Sequence, residues 1–121
     1  MGARQSAAPS DQRAYVSENR DFRGGSGAVY RYLHVEDERM TPTGAGNFLY
    51  VRTDAERPVI VFAGQAEQLT AVIGDRWREA AQKHGATHIF ARRNVSIRVR
   101  EEELADLLAA HTPVMNEATA P

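Results

Sequence analysis

Gly46-Asn47-Phe48-Leu49-Tyr50-Val51 and Val59-Ile60-Val61-Phe62-Ala63-Gly64 are the two runs whose reading decides the fold. Both are short, and β-branched and aromatic residues dominate them. The segment between them, Arg52 to Pro58, is polar and ends in a proline. This pattern predicts two antiparallel strands joined by an exposed hairpin loop. After Gly64 the period changes. Ala66, Leu69, Val72 and Ile73 recur at helical spacing, so a short helix is expected to cover the hairpin. Gly74-Asp75 interrupts it, and Asp75 is the expected N-cap of a second helix, Arg76 to His84. Trp77, Ala80 and Ala81 form that helix's apolar side, and Gly85 its C-cap. Thr87 to Arg92 reads as another central strand. A last helix, Ile97 to Ala110, is expected to turn Leu104, Leu107, Leu108 and His111 inward before Thr112-Pro113 stops it.

Upstream of the hairpin, Ala28 to Val35 alternates. Val29, Arg31, Leu33 and Val35 point one way and Tyr30, Tyr32 and His34 the other, which predicts an edge strand. Residues 1–24 are rich in Ser, Ala, Gln, Asp and Arg without a sustained period and read as a flexible arm. Residues 25–116 are the expected domain, and 117–121 a loose tail. The predicted class is α+β: a small, mostly antiparallel sheet of three to four strands flanked by helices.

A chain of 121 residues supports one modest core. It has no cysteine and no apolar run near the ~20 residues of a membrane helix. Its N-terminus lacks the apolar stretch of a secretory signal. The resulting expectation is a cytoplasmic protein with no membrane partner. A net charge of −1 announces no global basic field. The arginines are unevenly spread, however. Arg92, Arg93, Arg98 and Arg100, with Arg76 and Arg78 before them, make the candidate nucleic-acid-binding patch, and Glu101, Glu102 and Glu103 cancel part of it. His84 and His88 have zinc spacing only on a continuous helix, and Gly85 ends that helix. They read as structural, and no metal site is expected.

Gly46-Asn47-Phe48, then Phe62-Ala63-Gly64, then Gly85-Ala86-Thr87-His88-Ile89 with Asn94, and finally Asp106-Leu107-Leu108 through Pro113 to Asn116 fall in a particular order and spacing. Over roughly residues 46 to 116 this resembles the GIY-YIG nuclease domain, in particular its small bacterial branch. The resemblance implies a scaffold that cleaves phosphodiesters with one divalent metal. Its site uses tyrosines in both signatures, an arginine in the helix after the second, a glutamate in the last helix and an asparagine near the end. The chemistry requires a group to take a proton from water, a cation to clamp phosphate and a carboxylate to hold magnesium.

Under that resemblance the tyrosine positions hold Phe48 and Phe62, the arginine position Val72 and the glutamate position Leu104. Asn116 alone keeps the family's residue. The expected cleft of Phe48, Phe62, Val72, Leu104 and Asn116 is therefore apolar. It implies a pseudo-nuclease that binds or regulates without a cofactor. The partner would be nucleic acid, met by the arginines, or a protein whose side chain enters the cleft. The alternative is a re-wired nuclease with Tyr50, Arg76, Glu103 and Asn116 around magnesium. It requires Glu103 to take the inward position of Leu104, a rotation of about 100° on a helix. Tyr30 or Tyr32 would be further sources of a hydroxyl. Nothing in the sequence sets an oligomeric state.

Overall fold

The computed structural model describes residues 19–53 and 57–117. In chain order the elements are β1 (Asn19–Arg23), β2 (Val29–His34), a 3-10 turn (Glu38–Met40), β3 (Gly46–Arg52), β4 (Val59–Ala66), α1 (Leu69–Val72), α2 (Trp77–His84), β5 (His88–Arg93), α3 (Ile97–His111) and α4 (Val114–Glu117). The class is α+β. Its sheet has five strands rather than three to four, in the order β1-β2-β5-β3-β4, with every neighbouring pair antiparallel. Among the described residues no helix is long and apolar enough to cross a membrane.

The additional strand is β1, which falls inside the segment that composition marks as an arm. Its one apolar side chain, Phe22, is buried edge-on against Tyr32 and Phe90 at 5.8 and 5.4 Å. A single apolar residue among polar ones makes no period, so β1 carries no strand signal of its own. Residues 1–18 of the expected arm and 118–121 of the expected tail lie outside the described residues.

The two hydrophobic runs form the β3–β4 hairpin, and β3 lies between β4 and β5. Tyr50 pairs with Phe62 and Val51 with Ile60, which makes Val61 an extra residue at a bulge. Positions Gly46 to Val51 are all buried because helices cover both faces there. Gly46 is required by close approach: a Cβ would stand 2.2 Å from the Arg92 carbonyl oxygen. On one face Phe48, Tyr50, Val61, Leu69, Ile73, Ala80 and Met115 form a core beneath α1, α2 and α4. On the other, Phe22, Tyr32, Leu49, Val51, Ile60, Phe90 and Leu107 pack beneath α3. Residues 48 and 50 thus point away from 49 and 51, as strand alternation demands.

Three helix details differ from expectation. The N-cap of α2 is Arg76, not Asp75, and no side chain caps it. The Arg76 N–H is instead satisfied by the buried Tyr50 hydroxyl at 3.2 Å. Gly85 ends α2 as expected, in the left-handed conformation at φ 74°. In α3 the buried positions are Arg100, Glu103 and Leu107, while Leu104 and Leu108 are half-buried. The inward stripe is therefore polar over its first half, because the sheet opposite supplies hydrogen-bonding partners there. His111, in the last turn, meets the Arg23 carbonyl oxygen at 2.8 Å. At the open edge of β4, the Asn116 amide accepts from the Ala63 N–H and donates to the Ala63 C=O, both at 2.9 Å. That side chain covers backbone groups an edge strand would otherwise expose.

Candidate functional site

A cleft of about 460 Å³ opens between β3, β4 and the α1–α2 segment. Its floor is aromatic. Phe48, Tyr50 and Phe62 lie 5.4–5.8 Å apart by ring centroids, and Trp77 meets Tyr50 edge-on at 5.4 Å. Ala71 and Val72 form an apolar wall, and Gln65, Glu67, Gln68, Asp75 and Arg76 add polar groups. The strand pairing brings the rings together: Tyr50 sits opposite Phe62, and Phe48 faces Gly64, which leaves room beside it.

Among the described residues the cleft contains one phenol, and that phenol is engaged. The Tyr50 hydroxyl donates to the Ile73 carbonyl at 2.8 Å and accepts from the Arg76 N–H. Burial pushes its pKa up. It therefore fastens the turn before α2 to the sheet, and offers no proton acceptor to a ligand. The Arg76 side chain donates from Nε and Nη2 to Glu79 Oε1 at 3.2 and 3.0 Å, with its Cζ 5.2 Å from the Phe62 ring centroid.

Of the expected cleft residues, Phe48, Phe62 and Val72 come together and Leu104 does not. Leu104 packs against the Phe22–Leu107 core, across the sheet. Asn116 stands at the β4 edge on Ala63. The re-wired set is likewise divided: Tyr50 and Arg76 adjoin, whereas Glu103 belongs to the α3 face.

Glu103 itself is the centre of a buried polar hub that the sequence places outward. It is 2% exposed. Its Oε2 accepts from the Tyr32 hydroxyl at 2.5 Å, and its Oε1 from Arg92 Nε at 3.0 Å and Asn94 Nδ2 at 3.2 Å. Asn94 also donates to Asn47, whose amide donates to the Arg100 carbonyl. A carboxylate, a guanidinium and a phenol thus do meet, but on the α3 face rather than in the cleft. Glu103 is buried and its hydrogen-bonding partners are a phenol, a guanidinium and an amide rather than further carboxylates, so the hub does not fit the magnesium that the resemblance implies. Among the described residues no group of three His, Asp or Glu side chains could hold a metal ion. The re-wired alternative named an inward Glu103 and a hydroxyl from Tyr32, and the structure does turn Glu103 inward onto Tyr32, without the rest of that set.

The arginine patch is largely spent within the fold. Arg100 is 2% exposed, bonded to Gln65 Oε1 and to the carbonyls of Asn94 and Val95. Arg76, Arg92 and Arg98 pair with Glu79, Glu103 and Glu102. Arg78 and Arg93 are exposed. Gly85 separates the two histidines as expected: His84 ends α2, and His88 on β5 lies 4.8 Å from His34, ring to ring. Burial and the neighbouring His88 lower the His34 pKa; burial and Arg20 lower that of His88. Comparison with protein-family models, curated proteins and solved structures finds no match to this chain.

Proposed function

We propose that this chain is a degenerate GIY-YIG-like scaffold that works as a binding module rather than a hydrolase, with its aromatic cleft receiving a side chain of a protein partner. One observation carries this reading: among the described residues the only hydroxyl lining the cleft is committed to backbone groups, and Glu103, the carboxylate of the re-wired set, is buried on the opposite face of the sheet. The element order from β3 to α3 supports the scaffold assignment. Protein is favoured over nucleic acid because four of the six candidate phosphate-binding arginines are paired or buried. A well-formed apolar pocket with a few polar groups at its rim suits an anchoring side chain.

The test has two arms. Incubation of plasmid or RNA with the full chain in magnesium or manganese is expected to give no cleavage. Cleavage that disappears in Glu103→Gln, a variant that keeps the hub's shape, would overturn the reading. In the second arm, amide NMR shifts are followed during titration with blocked peptides and with oligo-dT. Shifts around Gly64 to Gln68 with peptide support the proposal; shifts there with oligo-dT alone refute it in favour of nucleic acid.

A further inference from the structure

The charges at the mouth of the cleft specify the side chain it takes. Glu67 and Asp75 both line the cleft and both are exposed. Neither joins an ion pair among the described residues. The cation beside them, Arg76, does not neutralise them, since Glu79 holds its guanidinium. Two exposed carboxylates without an ion-pair partner among the described residues therefore line the cleft together with Phe48, Phe62, Ala71 and Val72.

Three kinds of occupant would meet this arrangement differently. A phosphate would approach two negative charges. A purely apolar ring would satisfy the walls and leave the carboxylates without a partner. A basic side chain satisfies both, because its methylene stem covers apolar surface while its head stays with charge and water. The cleft already shows the relevant contact, with the Arg76 guanidinium lying over the Phe62 ring. Arginine suits the site better than lysine, since a planar guanidinium both stacks on rings and bonds carboxylates through paired donors.

We propose, on the reading that the cleft is a protein-docking site, that its occupant is an arginine from an extended segment of a partner protein. The stem lies along Phe48 and Val72 and the guanidinium is met by Glu67 and Asp75. Insertion competes with Arg76 for the face of Phe62.

The experiment titrates the isotope-labelled full chain with blocked alanine pentapeptides carrying a central arginine, lysine or phenylalanine, and separately with oligo-dT. The arginine peptide is expected to shift the amides of Gly64, Gln65 and Ala71 and to weaken as salt is raised. The double variant Glu67→Gln/Asp75→Asn, which touches only exposed side chains, is expected to weaken it about three- to tenfold, the scale of two exposed ion pairs. Its unperturbed spectrum elsewhere verifies the fold. Unchanged arginine affinity in that variant overturns the inference. Preference for the phenylalanine peptide also overturns it while leaving the docking reading intact. Cleft shifts with oligo-dT alone, or with no probe at all, overturn both.

Discussion

Replacing Glu103 with alanine distinguishes the observed register of α3 from the one its leucines suggest. Glu103 accepts three hydrogen bonds in a site that is 2% exposed, and Tyr32, which supplies the shortest, is itself 0% exposed. Removing the carboxylate leaves the Tyr32 hydroxyl buried without an acceptor, at about 1–3 kcal/mol. Arg92 costs less, because a side chain 34% exposed regains water; exposed pairs contribute ~0–1 kcal/mol. Asn94 keeps its bond to Asn47. The sum is about 1–4 kcal/mol. At roughly 3–6 °C per kcal/mol, between the values for smaller and larger domains, the melting temperature falls by about 3–24 °C. Glu103→Gln keeps one acceptor oxygen but turns the other into an N–H2 donor facing either Tyr32 or Arg92 and Asn94, so it should cost about 1–3 kcal/mol. Leu104→Ala truncates a half-buried side chain and should cost clearly less than Glu103→Ala. Urea denaturation and thermal melts of the three variants provide the assay. If Leu104→Ala is the damaging substitution and Glu103→Ala is neutral, the carboxylate faces solvent and the hub described above is wrong.

Three further outcomes follow from the same geometry. Asn116→Ala exposes the Ala63 N–H and C=O at the β4 edge and should cost about 1–3 kcal/mol in urea denaturation, while a change at exposed Glu101 should cost nothing measurable. His34 and His88 have folded pKa values below the ordinary 6.5, so the unfolded chain takes up protons first. Stability is therefore full above pH 6.5 and declines as pH falls below it; melts across that window should show the decline, and a His34→Gln/His88→Gln variant should flatten it. Tyr30 is pushed up to about 12 by burial, with Asp106 adding to it, and Tyr32 is raised well above 10 by burial and Glu103. The unfolded chain loses those protons first, so stability is complete below pH 10 and falls from there toward 12. Phenolate absorbance should rise together with unfolding, and Tyr32→Phe should remove part of the alkaline slope.

Local pattern determined a good deal of this protein. The continuous apolar runs of residues 46–51 and 59–64, rich in β-branched and aromatic residues, specify the hairpin, because a strand buried on both faces needs such a run. Gly85 and Thr112-Pro113 mark helix ends through backbone geometry that each residue carries by itself. The grouping of Phe48, Phe62 and Val72 was legible for the same reason: a strand pair and the helix after it bring near neighbours in sequence together. What only the tertiary structure decided lies at long range. Phe22 belongs to a strand because Tyr32 and Phe90 receive its ring, a fact absent from the polar residues around it. Glu103 faces inward and Leu104 half outward because Tyr32, 71 positions away, and Arg92 offer it a complete set of donors. The arginines from 92 to 100 look like a basic patch until the fold pairs or buries most of them. A sequence records how much of each segment must be covered, through hydrophobicity and period. Which polar groups end up satisfied depends on partners that only the folded sheet and helices bring within hydrogen-bond distance.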